Sequence, residues 1–245
     1  MTHQTTQPTS TDEIVLYGFQ RSTYVNVARL VLHAKGVAFR FHDVEHEIGT
    51  PAHLKRHPFG RVPALQHGSF MLYETSAIGL YIEENFDGPP LLPAERQARA
   101  LCHQWMSALS SYFYPYMIYY LVHERLVFGE LGIAADEAVV AESLPKIELA
   151  LSVMDGCLKG PGFLACDVPT LADYFLFPTL TALGFTPEGK ELLCRHDAVS
   201  AWIARMGKLP AVIELRSTLP PSIPIEHARR WATEHRPSVR EGRHA

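Results

Sequence analysis

An α/β domain followed by an all-α domain is the architecture this 245-residue sequence predicts. Three observations lead there. Strand-like alternation and helix-like periodicity interleave from Ile14 to Asn85. A run of turn formers, Asp87-Gly88-Pro89-Pro90-Leu91-Leu92-Pro93, then interrupts the pattern. Beyond it only helical periodicity recurs. The expected boundaries are an α/β domain over 13–87, a helical domain over 94–216 and a tail over 217–245. Hydrophobic residues make up 47% of the chain, enough for a substantial core, and a net charge of -4 argues against nucleic acid or a membrane surface as partner. Met1 to Asp12 is Thr/Gln/Ser-rich without an apolar core and does not read as a signal peptide. No uncharged apolar run approaches the ~18 residues of a membrane span. Cys102, Cys157, Cys166 and Cys194 are too scattered for a CxxC pair or a disulfide framework, so a reduced, cytoplasmic protein is expected.

The elements follow in order. Ile14 to Gly18 reads as a buried strand. Tyr24 to Lys35 is helical, with Val27, Leu30, Val31 and Ala34 on one stripe and Gly36 as C-cap. Ala38 to Val44 alternates as a second strand, and Pro51 to His57 makes a short helix or turn. Ala64 to Gln66 and Phe70 to Tyr73 flank His67-Gly68, a hairpin signal. Thr75 to Asn85 is a helix. The order βαβ-α-ββα is that of a thioredoxin-like half. After the linker come a long aromatic helix from Ala94 to His123 that Pro115 should kink, and a helix from Asp136 to Lys159. Thr170 and Asp173 stand as a capping box, and helices run from about Ala198 to Lys208 and Ala211 to Arg216. A short helix around Glu226 to Glu234 completes the expectation.

Two stretches carry the chemistry: Arg61-Val62-Pro63-Ala64-Leu65 and Tyr73-Glu74-Thr75-Ser76-Ala77-Ile78. A proline ahead of a short strand cannot donate to the ladder. A cis bond at Pro63 is one way to place it, leaving the Val62 N–H and C=O outward like an unpaired strand edge that can bind an extended peptide. Glu74-Thr75 sits where strand turns into helix. The first amides there attract a carboxylate, and Glu74 can hold an ammonium. Peptide backbone, carboxylate and ammonium together describe glutathione.

With these residues the chain resembles the cytosolic glutathione transferases over roughly residues 13–216. Four patches carry the resemblance in the family's order: Leu16 to Tyr24 with Arg29 as the active-site loop and first helix, His57 to Leu65 as the cis-proline loop, Tyr73 to Ile78 as the γ-glutamyl site, and Gly162-Phe163-Leu164 through Asp173 as the capping box. The resemblance implies glutathione as cosubstrate, no metal, and a homodimer. It also implies a site in which Arg61, Val62, Pro63, Glu74 and Thr75 bind glutathione. Ser22, seven residues before Arg29, resembles the catalytic serine of the serine-type phi-, tau- and zeta-like groups. Its task is light. A thiol of pKa ~8.5 needs about 1.4 kcal/mol of selective thiolate stabilisation per unit, and one hydrogen bond to a charged acceptor supplies about 1.5–3 kcal/mol. Tyr17 and Tyr24 are competing hydroxyls, and Ser22 also suits a plain N-cap. Arg21 is a candidate to steer the anionic tripeptide, Arg61 to pair its glycyl carboxylate, and Arg29 to partner a carboxylate such as Glu83.

Tyr112, Tyr116 and Tyr119, at i, i+4 and i+7, are the candidates for an apolar second-substrate pocket, with Trp231 its cover or, as the alternative, part of a disordered tail. Helix-packing core is the alternative reading for each tyrosine. His53 and His57 lack a third ligand for zinc. The basic tail with Arg229 and Arg230 is too short and too interleaved with Glu for a nucleic-acid site. No cysteine precedes Cys102, which argues against mixed-disulfide chemistry, and Ser22-Thr23-Tyr24 differs from the Ser-Ser-Cys run of zeta-like isomerases. The expected function is glutathione conjugation to a small electrophile. The alternatives are a glutathione-dependent isomerase, peroxidase or dehalogenase of the same fold, or a non-catalytic transferase-like binding module.

Overall fold

In the computed structural model, residues 13–158, 160 and 162–219 are described. The expected tail helix at Glu226 to Glu234, Trp231, Arg229 and Arg230, the Met1 to Asp12 segment and Lys159 lie outside the described residues. The chain divides into two compact units on either side of Gly88 and Pro89.

The first unit runs β1 (Ile14–Gly18), α1 (Thr23–Lys35), β2 (Arg40–Asp43), α2 (Pro51–Arg56), β3 (Ala64–His67), β4 (Phe70–Tyr73) and α3 (Thr75–Asn85). The strands form one sheet in the order β2-β1-β3-β4. β1 is parallel to β2, and β3 is antiparallel to both β1 and β4. Its crossover, α1, is amphipathic, and Gly36 closes it at φ 69, a left-handed turn that suits a residue with no Cβ. On one face of the sheet Val15, Tyr17, Val44 and Ala64 form a buried cluster with Ile48, Val62 and Met71 against it. α1 packs against α3, and Lys35 reaches across to Glu83 at 3.0 Å with both side chains largely buried. Glu83 thus takes an ion pair from Lys35, and the Arg29 guanidinium donates to Asn26 Oδ1 at 3.4 Å and lies 5.1 Å from the centre of the Phe41 ring.

The second unit contains, among the described residues, only helices. The first is longer than expected and differently wound. α4 (Arg96–Ala108) continues into two stretches with five-residue backbone bonds, Leu109–Phe113 and Pro115–Val127, and ends in α5 (Phe128–Glu130). The Tyr114 N–H donates to the Leu109 carbonyl and the Phe128 N–H to the His123 carbonyl. Pro115, expected to kink an α-helix, sits at the junction of these wide turns, where its missing N–H coincides with a change of bonding pattern. α6 (Glu137–Leu158) starts where the Asp136 carboxylate accepts from the Ala138 and Val139 amides. The Asp136 N–H in turn donates to Glu124, a fully buried carboxylate, at 2.7 Å.

α7 (Leu171–Leu183) opens on the predicted capping box, which is formed. Asp173, fully buried, accepts from the Leu164 N–H (3.0 Å), the Thr170 N–H (2.8 Å), the Thr170 hydroxyl (3.0 Å) and the Trp202 indole N–H (2.8 Å). Burial pushes its carboxyl up against the opposing pull of those donors. α8 (Pro187–Cys194) was not expected. Its start, Thr186 capping Gly189 with Pro187 in the first turn, is a helix signature that Gly189 obscures in the sequence. α9 (Asp197–Met206) and α10 (Pro210–Ser217) complete the unit.

Candidate functional site

Strand register gathers the site. Gly18, the last residue of β1, is level with Asp43 at the end of β2, and Tyr17 is level with Ala64 at the start of β3. Ala64 is in turn level with Tyr73 at the end of β4. The Ser22 loop after β1, the Val62-Pro63 turn before β3 and Glu74-Thr75 after β4 therefore emerge from one end of the sheet.

The β1–α1 loop is tight. A Cβ at Gly18 would meet the Val25 side chain at 2.5 Å, so any larger residue here would force β1 and α1 to shift. The Ser22 N–H bonds the Phe19 carbonyl at 3.2 Å, and the Asn26 side-chain amide holds the Gln20 carbonyl at 3.0 Å. Ser22 is the N-cap of α1, and its Oγ accepts from the Val25 N–H over a long 3.3 Å. Capping uses the oxygen as acceptor and leaves the hydroxyl hydrogen for another partner. The N-cap role foreseen for Ser22 is thus formed, and it does not use up the donor that the other role needs. Tyr17 is committed elsewhere: its hydroxyl donates to Gln66 Oε1 at 2.7 Å, and the Arg56 guanidinium lies 4.5 Å from its ring centre. Tyr24 is half-buried in the first turn of α1.

The Val62–Pro63 peptide bond is cis. Pro63 is buried and Val62 half-buried on the cluster around Val15 and Tyr17. Arg61 has an exposed side chain, while its carbonyl accepts from His53 Nε2–H at 3.0 Å. Glu74 is exposed and stands at φ 71, ψ 118, alone among described non-glycine residues in having positive φ. Such a conformation costs on the order of 1–3 kcal/mol and persists only where its surroundings enforce it. Thr75 is buried, and no side chain caps the first amides of α3. Backbone amides at such a helix start attract anions.

Three further groups at this end of the sheet escaped the sequence reading. The Glu47 carboxylate takes His42 Nε2 at 2.7 Å and the Arg56 guanidinium. These hydrogen bonds, His42 first, hold its carboxyl down at about 2. His53, read only as half of a failed zinc pair, has both ring nitrogens on backbone groups, Gly49 N–H and Arg61 C=O. Asn26 had no periodic signature at all. Among the described residues no cluster of three or more His, Cys, Asp or Glu could hold a metal.

The tyrosines of the second unit do not share the face that α-helical spacing gives them. Tyr112 is 67% exposed, while Tyr116 and Tyr119 are half-buried. The Tyr119 ring meets Tyr114, five residues away, and His123 edge-on, and Tyr116 meets Tyr120 edge-on. Five-residue bonding changes the angular step per residue, so the α-helical spacing of Tyr112, Tyr116 and Tyr119 no longer defines one shared face.

Known proteins resemble this chain in sequence and fold. Residues 16–90 match the glutathione S-transferase N-terminal domain model and residues 137–205 the C-terminal domain model. Glutathione S-transferase 3 of Zea mays is 33% identical over 212 residues, covering 84% of this chain and 94% of its own length. Glutathione S-transferase F6 of Arabidopsis thaliana is 32% identical over 203 residues, covering 81% and 96%. Among solved structures, apo glutathione S-transferase III superposes with a TM-score of 0.79 at 32% identity, covering 86% of this chain and 99% of its own. Maize glutathione S-transferase I in complex with an atrazine glutathione conjugate gives 0.77 at 27%, covering 86% and 100%. The relatives are phi-class-like plant proteins. With both domain models matched in order and relatives aligned over nearly their full length, this chain belongs to the glutathione S-transferase family.

Proposed function

We propose that this protein binds glutathione at the sheet end, activates its thiol with the Ser22 hydroxyl and transfers the sulfur to a small, apolar electrophile. The observation that carries the reading is convergence: strand register brings Ser22, Val62 and Glu74-Thr75, far apart in sequence, to one end of one sheet. The tripeptide lies along the Val62 backbone. Its γ-glutamyl carboxylate meets the uncapped amides at Thr75, and its ammonium meets Glu74. The Arg61 side chain attends the glycyl carboxylate, and Pro63 shapes the turn.

Ser22 donates its hydrogen to the sulfur and so favours thiolate over thiol. A shift of one to two units needs about 1.4–2.8 kcal/mol, within reach of one charge-assisted hydrogen bond. The thiolate then attacks the electrophile, the carbon–sulfur bond forms, and the leaving group departs with its electron pair. Tyr112, Tyr116 and Tyr119 are proposed as aromatic surface for the apolar substrate, Tyr112 first because it is the most exposed. Conjugation is favoured over thiol–disulfide exchange because the first cysteine, Cys102, is buried with its thiol pushed up by burial. A homodimer and a cytoplasmic location belong to the same reading on family grounds.

The test is ultraviolet titration of enzyme-bound glutathione thiolate. Wild type should show an apparent pKa one to two units below the free value of ~8.5, and Ser22→Ala should return it toward that value. An unchanged titration in Ser22→Ala removes Ser22 from the role.

A further inference from the structure

We infer that His53 is a positioning residue for glutathione: it clamps the Arg61 carbonyl and thereby aims the Val62 N–H at the bound tripeptide. The inference rests on the proposed glutathione site and adds to it a residue that touches no substrate.

The geometry is specific. His53 lies in α2 and is 1% exposed, so its polar atoms have no recourse to water. Its own N–H bonds the Thr50 hydroxyl at 3.3 Å, which seats it in the first turn. Its Nδ1 faces the Gly49 N–H at 3.1 Å, and its Nε2 faces the Arg61 carbonyl at 3.0 Å. A backbone N–H only donates and a carbonyl only accepts, which leaves one arrangement of the ring: hydrogen on Nε2 and a lone pair on Nδ1. Both nitrogens are then used, and neither remains for a metal.

The consequence for the site follows from peptide planarity. The Arg61–Val62 bond is trans, and a trans peptide points its C=O and N–H in opposite directions within one rigid plane. Holding the Arg61 carbonyl toward the His53 ring turns the Val62 N–H the other way. That N–H is the donor proposed for the tripeptide backbone. Without the clamp, the plane rotates at little cost and glutathione must order it on binding, a cost that appears as lost affinity. The Gly49 bond anchors the other side of the ring in the segment before α2, so the imidazole ties that segment to the cis-proline turn.

The full chain is used for the test, with S-methylglutathione as the calorimetric probe, so that binding is read without thiol chemistry. Glutathione KM and kcat are measured in parallel with an aryl halide. His53→Phe should weaken binding and raise KM about tenfold, as expected for one lost ordering hydrogen bond. Its kcat at saturating glutathione should stay within about threefold, because Ser22 is undisturbed. His53→Gln, which keeps a donor and an acceptor, should recover part of the affinity. A folded His53→Phe with wild-type affinity overturns the inference, and so does a loss confined to kcat.

A second readout needs no ligand. Long-range proton–nitrogen spectra of the wild type should show His53 protonated at Nε2 and bare at Nδ1, and the Val62 amide resonance should shift in the variants. The opposite ring pattern, or an unmoved Val62 amide, overturns the clamp even if no variant is fit for kinetics. Failure of the wild type to bind S-methylglutathione overturns the glutathione site itself, and with it the aiming role. The spectra then separate a true clamp from a wrong ligand.

Discussion

Two helix starts, Ser22 at α1 and Thr170 with Asp173 at α7, use the same capping chemistry to different ends. At α7 each oxygen of the Asp173 carboxylate accepts more than one hydrogen bond, from donors between 2.8 and 3.0 Å, and the residue is fully buried. At α1 the cap is one long bond of 3.3 Å to a half-buried serine, and no described residue accepts the serine hydrogen. The first arrangement spends its whole hydrogen-bonding capacity inside the protein and ties a loop, a helix start and the Trp202 indole together. The second keeps its donor in reserve. A fully satisfied cap stabilises, while an under-used one at a sheet end is available to a ligand. The same division holds for Glu74, which occupies an unfavourable backbone conformation without any capping bond in return.

Substitutions can break this contrast from either side. The largest effect is expected at Asp173. Asp173→Ala strands several buried donors at about 1–3 kcal/mol each, so stability should fall by more than about 3 kcal/mol in denaturant unfolding, with poor soluble yield. If Asp173→Ala unfolds at the wild-type midpoint, the carboxylate does not hold the second unit together. Ser22→Ala should invert the pattern. Its turnover should drop about 10–100-fold, corresponding to 1.4–2.8 kcal/mol of thiolate stabilisation, whereas the lost cap, one long bond, costs about 1 kcal/mol of stability. A variant that loses stability but not turnover would make Ser22 a cap and nothing more.

Glu74→Gly sharpens the comparison. Glycine adopts positive φ without steric cost, so stability should be unchanged or rise by up to about 1 kcal/mol, while glutathione binding is lost with the carboxylate. A clear fall in melting temperature would show that the Glu74 side chain serves the fold. The smallest effect is electrostatic. Glu47 is held at about 2, below its unfolded value of ~4.3, by His42 and Arg56. Its contribution is therefore present above about pH 4.3 and fades as the pH falls toward 2. Glu47→Gln should lose stability relative to wild type at pH 6 and converge with it near pH 2. A difference that does not shrink with acid would contradict the ion-pair origin.

Much of this was legible in the sequence because it is written in periodicity and turn chemistry. β1, β4 and α3 have the expected bounds, and the reciprocal Thr170–Asp173 pair announces α7. The interval between Val62-Pro63 and Glu74-Thr75 is set by a two-strand hairpin, which is why two short motifs could be placed at one end of the sheet. Three features were not legible, each for a physical reason. The wide winding around Pro115 changes which tyrosines are neighbours, and a sequence with aromatics on every side of the helix carries no period to betray it. α8 is eight residues long with Gly189 in its first turn, too short and too interrupted to stand out. His53 and Asn26 act on backbone carbonyls of other segments, and such contacts leave no trace in residue spacing.

The central claim is that the sheet end takes glutathione, and calorimetric titration of wild type and Glu74→Ala with reduced glutathione tests it most directly. The account predicts saturable binding in the micromolar to millimolar range for wild type, abolished in a normally folded Glu74→Ala. No heat with wild type, or equal binding by both proteins, would contradict it.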